Sequence, residues 1–117
     1  MFAGEEYADA QEIEELKRKG HAFEPGNASY LVHQYEEYGP DFFGRLNGGF
    51  SGLLLDLREP GVVLFNDRFG LNRIYCLENE NGFYFASEAK CLLKVLPGVR
   101  QFDLKSLGEY FACGCVL

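Results

Sequence analysis

Between residues 46 and 93 short apolar runs alternate with turn residues, and that rhythm predicts four antiparallel strands in a meander. Residues 50–57 are the first candidate strand, where Leu53, Leu55 and Leu57 share one face while Gly52 and Asp56 point the other way. Pro60 and Gly61 suit the central positions of a type II turn, proline presetting φ and glycine accepting a positive value. Residues 62–66 form the second strand. Its run Val62, Val63, Leu64 and Phe65 has no alternation, so the strand is expected to be covered on both sides. Gly70 marks a break, residues 73–77 form the third strand, and Asn81-Gly82 offers a primed hairpin turn before the fourth strand at 83–86.

Helical spacing governs the flanks. Residues 9–19 place Ile13 and Leu16 inward and Glu12, Glu14, Glu15, Lys17 and Arg18 outward, with acid early, base late and Gly20 at the C-terminal position. Residues 23–27 carry loop chemistry. A second helix is expected from 27 or 28 to 38, with a Leu31, Tyr35 and Tyr38 stripe that reads as core packing rather than a ligand platform. Gly39-Pro40 ends it, and a short helical piece spans 41–46. After the meander, Ser87 stands where an N-cap belongs, Glu88 complements the dipole, and Ala89, Leu92 and Leu93 recur at helical spacing. Pro97-Gly98 breaks the chain before a last amphipathic helix at 102–111, capped by Asp103. The fold class is therefore α+β: a four-stranded antiparallel meander at about 49–86, helices at about 8–46, and further helices at about 87–112.

Composition narrows the function classes. The 117 residues are one domain's worth, and a 47% hydrophobic fraction with 11 Phe and 7 Tyr can fill a core. A net charge of −7, with Lys17-Arg18-Lys19 as the one basic run, disfavours nucleic acid. No apolar run approaches a membrane span and the opening residues lack the pattern of a signal peptide, so a cytoplasmic protein is expected. The 4 cysteines need not pair in that compartment; Cys76 and Cys91 are expected as buried free thiols in a strand and a helix. Cys113-Gly114-Cys115 lacks a second ligand pair at metal spacing, so no metal is assigned. His21 and His33, without evident partners, are expected at the surface or at helix ends. The apolar stretch 112–117 points to a chain cut from something longer or docked on a partner.

Three ordered motifs carry a family resemblance: LNGGF before a hydrophobic strand, then NDRFGLNRIY, then FYFASEAKCLL. Together they resemble the glutamine amidotransferase domain of asparagine synthetase-like proteins, the class II, N-terminal-nucleophile type. The resemblance implies an αββα sandwich, of which this chain holds one four-stranded sheet with helices and an uncovered face. That face is expected to pair with a second copy, giving a homodimer. In such a parent, ammonia from glutamine passes to a synthetase domain that uses ATP and magnesium.

The same resemblance assigns chemistry residue by residue. The family's nucleophile is an N-terminal cysteine whose α-amine acts as base; here position 1 is Met and every cysteine is internal. The resemblance therefore implies that the nucleophile, neighbouring strands and the arginine for the substrate carboxylate precede this chain, and that the 117 residues alone are inactive. Ala3-Gly4-Glu5-Glu6-Tyr7 matches the family's Asn-Gly-Glu-Ile-Tyr, so Gly4 keeps an oxyanion donor, Ala3 loses one, and Glu5 keeps a substrate-holding carboxylate. Gly26-Asn27-Ala28 matches Gly-Ser-Asp, so Ala28 cannot pair with the substrate ammonium, leaving Asn27 or Ser29 to give a neutral hydrogen bond. Asp67-Arg68-Phe69-Gly70 is well matched. Arg68 is available for an anion or a following synthetase domain, but the favoured reading is an Asp67–Arg68 pair pinning a bulge with Gly70 at positive φ. Asn72-Arg73 replaces the family's usual Lys-Pro. Gly4, Glu5 and Asn27 are thus the candidate substrate contacts, while Asp67, Arg68 and Gly70 are structural or interdomain. The alternative is a catalytically dead scaffold that still binds an amino acid or a partner protein.

Overall fold

The computed structural model describes residues 1–24 and 26–116 and divides into two units, Met1–Ile74 and Tyr75–Leu117. Pro25, inside the expected loop at 23–27, and Leu117, at the apolar end, lie outside the described residues.

In the first unit, α1 (Ala10–Arg18) begins where Asp9 accepts the Gln11 N–H at 2.8 Å. It closes in a Schellman motif: the Gly20 N–H bonds the Lys17 carbonyl, the His21 N–H bonds the Leu16 carbonyl, and Gly20 takes φ +93°. Leu16 is fully buried and Ile13 half-buried, as the spacing predicts. Glu12 departs from its outward assignment. It accepts hydrogen bonds from Gln34 Nε2 (3.0 Å) and Arg45 (2.8 Å), joining α1 to the segment that follows. The next helix, α2 (Tyr30–Tyr38), starts later than expected because Asn27 Oδ1 captures the Ser29 N–H at 2.8 Å and holds a turn. The predicted stripe is core: Leu31 is buried, and Tyr35 and Tyr38 pack on the same cluster. A 3₁₀ turn (Gly39–Asp41) leads into α3 (Phe42–Arg45).

The sheet of this unit has order β1-β2-β3, all antiparallel, from β1 (Phe2–Glu6), β2 (Gly48–Asp56) and β3 (Gly61–Asn66). Its inner face carries Phe50, Gly52 and Phe65 against Leu31, Phe42, Phe43 and Leu46. The Phe65 ring fills the space a side chain at Gly52 would need, which explains a glycine inside a strand. The β2–β3 connection is longer than the expected type II turn. Asp56 pairs with Gly61, residues 57–60 form the loop, and Asp56 accepts from the Arg58 side chain and N–H and from Tyr35, bonds that hold its carboxyl well below the usual carboxylate range.

The expectation that β3 is covered on both sides fails. It is an edge strand, and the outer face of β2 and β3 stands open, with Leu55 61% exposed and Val62 63%. The unalternating run Val62 to Phe65 therefore reports an apolar outer face rather than burial on two sides.

The second unit contains β4 (Tyr75–Asn79), β5 (Gly82–Ala86), α4 (Ala89–Val95), a 3₁₀ turn (Pro97–Val99) and α5 (Leu104–Cys113). The expected four-stranded meander is thus replaced by a three-stranded and a two-stranded sheet. The β4–β5 turn is centred on Glu80 and Asn81, one residue before the expected pair, and Gly82 takes φ +146° as the first residue of β5. The cap of α4 is Glu88 rather than Ser87. Asp103 caps α5 as predicted, accepting the Lys105 N–H at 3.0 Å and the Ser106 hydroxyl at 2.6 Å. Cys76 and Cys91 lie in a strand and a helix as expected, yet all four cysteines are free and exposed, so burial is the wrong expectation for that pair. No described residue of this unit is buried. Among the described residues, no helix is long and apolar enough to cross a membrane.

Candidate functional site

The first strand sets the site. Its partners in β2 are glycine-rich, Glu6 facing Gly48, Glu5 facing Gly49 and Phe2 facing Gly52, so the two backbones approach closely. A Cβ at Gly4 would lie 2.3 Å from the Gly49 carbonyl oxygen and 2.7 Å from Phe50 Cα, at a φ of +121°. The ladder fixes which amides are used. Met1 and Leu53 exchange both bonds (2.8 and 2.9 Å), and the Tyr7 N–H reaches the Asn47 carbonyl at 2.8 Å. Alternation in an antiparallel pair then makes Gly4 and Phe50 a non-hydrogen-bonded pair, leaving the Gly4 N–H unused by β2.

Gly4, Glu5 and Asn27 line one cleft of about 630 Å³, together with Tyr7, Ala28 and Tyr30. Each acid here has a phenol partner. Glu5 accepts from the Tyr7 hydroxyl at 3.0 Å, and Glu6 accepts from the Tyr30 hydroxyl. Burial, then the Glu6 carboxylate, pushes the Tyr30 hydroxyl well above its ordinary pKa. Asn27 is engaged at both ends of its amide, donating to Glu24 (3.3 Å) and accepting from Ser29. Ser29 Oγ is buried with no hydrogen-bond partner among the described residues, and it lines an adjoining apolar hollow of about 640 Å³ with Phe2, Asn27 and Ala28.

The loop after β3 is built on one carboxylate. Asp67 is 3% exposed and accepts N–H bonds from Phe69 (3.1 Å), Leu71 (2.9 Å) and Asn72 (2.8 Å), while its own N–H reaches the Phe50 carbonyl at 2.9 Å. Those amide donors, Asn72 foremost, hold its carboxyl below the usual range. Gly70 sits at φ +64°, as expected for the turn. The expected Asp67–Arg68 ion pair is absent among the described residues, because Asp67 faces inward to its amides while Arg68 is exposed beside Phe69 and Arg45. One consequence escapes a reading of the sequence. The Asp67 loop carries the Asn72 amide to Gly4, where Nδ2 would lie 3.1 Å from a Cβ on that glycine.

A strand-borne glycine whose amide is unused by β2, the carboxylate next to it and an asparagine thus line one cleft. A family model described as a glutamine amidotransferase domain matches residues 1–94, and the chain belongs to that family. Its similar relatives include the Zea mays protein named asparagine synthetase [glutamine-hydrolyzing], 39% identical over 83 residues, which is 68% of this chain and 14% of the relative. Those named asparagine synthetase [glutamine-hydrolyzing] 2 are 36% identical in Arabidopsis thaliana (65% of this chain, 14% of the relative) and 37% in Bacillus subtilis strain 168 (64% and 10%). The chain therefore spans a small part of the length of the relatives it matches. No solved structure matches it.

Proposed function

We propose that residues 1–117 are the substrate-gripping part of a glutamine amidotransferase domain in an asparagine synthetase-like protein, belonging to an N-terminal-nucleophile αββα sandwich. In the parent, glutamine is hydrolysed in the cytoplasm and its ammonia passes to a synthetase domain supplied with ATP and magnesium. The observation that carries this reading is that Gly4, Glu5 and Asn27 share a cleft, with the Gly4 N–H left over for an oxyanion. Asp67 and Gly70 act structurally, and exposed Arg68 serves contact with the synthetase domain.

A polypeptide of these 117 residues has no N-terminal cysteine and releases no ammonia. Incubation with glutamine and an enzymatic ammonia assay tests this, and release above a buffer blank overturns it. Glutamine-induced shifts of the Gly4 and Glu5 amides in NMR spectra test the cleft. They should strengthen in Ala28→Asp, which returns a carboxylate for the substrate ammonium; no shift in either protein sinks the assignment. Side chains lost at Ala3 and Ala28 favour a second reading, a catalytically dead domain that binds an amino acid or partner. Activity restored by an N-terminal extension bearing the cysteine would exclude it.

The open β3 edge and the exposed Leu55 and Val62 support a homodimer of this chain. Light scattering that returns a monomer mass at high concentration refutes that.

A further inference from the structure

His21 and His33, which the sequence leaves apart and unpartnered, meet in the first unit with Nδ1 atoms 3.1 Å apart and rings 5.0 Å apart. We propose that His21 Nδ1, His33 Nδ1 and Glu36 Oε2 form a binding site for a borderline divalent transition-metal ion of the zinc type. The three atoms lie within 4.8 Å of one another, and His33 Nδ1 to Glu36 Oε2 is 3.2 Å. Two ligands at zinc distances of about 2.0–2.1 Å in a tetrahedron are separated by about 3.3 Å. These two edges come within about 0.2 Å of that value, while the third, held within 4.8 Å, closes by side-chain adjustment on the ion.

The surroundings already orient the donors. His21 Nε2 lies 2.9 Å from Glu37 Oε1, to which it donates, leaving Nδ1 as a lone pair aimed at His33. Glu37 is itself fixed by Lys19 at 2.7 Å. This is the carboxylate–histidine arrangement that orients metal ligands from behind. In a neutral pair, the single hydrogen on His33 Nδ1 must serve both the His21 lone pair and the Glu36 carboxylate. A cation answers all three donors at once. The backbone is equally settled: His21 is held by the Schellman bond to Leu16, and His33 and Glu36 lie one helical turn apart on α2. Phe23 stacks on His33 at 5.6 Å and shields one side. Glu15, Glu36 and Glu37 outnumber Lys19 around the site, a local balance that suits a dication. Two imidazoles and a carboxylate, without thiolate, suit zinc, cobalt or nickel above magnesium or calcium.

Thiolates are zinc ligands in general and the four cysteines are exposed, so the test uses a chain in which Cys76, Cys91, Cys113 and Cys115 are all changed to Ser. Calorimetric titration with zinc chloride should show one ion per chain, and NMR should show both histidine Nδ1 resonances shifting together. Glu37→Gln should weaken binding roughly 10- to 100-fold, and His33→Ala should weaken it more. The proposal is overturned if the Cys-free chain takes up no zinc. It is equally overturned if one ring alone responds, or if a folded His33→Ala chain, checked by circular dichroism, binds undiminished. The ring resonances are read with both histidines in place, so the outcome stands even where an alanine variant fails to fold.

Discussion

Gly52→Ala is the substitution whose effect follows most directly from the packing of the sheet. A Cβ there would sit 2.3 Å from Phe65 Cζ, 2.7 Å from Cε1 and 2.9 Å from Cε2. Carbon atoms prefer about 3.5–4.0 Å, so the ring must retreat by about 1 Å or more. One side of the ring lines the apolar hollow of about 640 Å³, and its other neighbours are rings. Phe43, Phe50 and Phe42 stand 5.1, 6.1 and 6.4 Å away between ring centres. Overpacking of this kind costs about 1–3 kcal/mol. Alanine recovers about 0.5–1 kcal/mol of the backbone entropy that glycine loses in a strand. The net expectation is a destabilisation of about 0–2.5 kcal/mol from those two effects, centred on about 1 kcal/mol. The chain has no Trp, so urea unfolding is followed by tyrosine fluorescence and far-ultraviolet circular dichroism. The decisive measurement is the cycle with Phe65→Leu, which clears the space the new methyl needs. In that background Gly52→Ala should become neutral or mildly stabilising, a coupling of about 1 kcal/mol or more. Equal costs in both backgrounds refute the ring-against-methyl explanation.

Other expectations are quicker to state. Gly4→Ala places a Cβ against the Gly49 carbonyl at positive φ and should detach β1, read as faster hydrogen exchange at the Ala3 and Glu5 amides. Phe42→Ala empties a side chain that is 2% exposed and should cost about 3–5 kcal/mol in urea melts. The Asp67 carboxyl is depressed in the folded chain, so its contribution is present above the unfolded carboxylate value of about 3.9 and is lost as pH falls through the lower folded value. The urea midpoint should therefore drop below about pH 4, and Asp67→Asn should flatten that drop while lowering the midpoint at pH 7.

Much of this architecture was legible in the residue pattern, and the failures share a cause. Two helices announced themselves through Gly20 and Asp103, whose capping acts within one turn of sequence, whereas Asp9, read as the first helical residue, is the cap of α1. The first strand did not. Phe2–Glu6 has neither alternation nor β-branched residues, and what makes it a strand is a glycine-rich partner more than 40 residues away. Sequence separation also hid the Asn72 amide beside Gly4, and even 12 residues were enough to hide the meeting of His21 with His33. Edge status was illegible too, since Val62 to Phe65 reads identically whether or not another strand covers it. The candidate cleft was found through matched motifs rather than periodicity; Gly4, Glu5 and Asn27 have no pattern that joins them.

Asp67 and Arg68 are neighbours with opposite obligations. The loop's shape is drawn by one acid gripping three amides of its own backbone, and the adjoining guanidinium takes no part in that grip. A protein arranged this way can exchange the residue at 68 to suit whatever meets it there while the scaffold beneath stays the same. The residue at 67 has no such freedom: changing it dissolves the platform on which its neighbour is displayed.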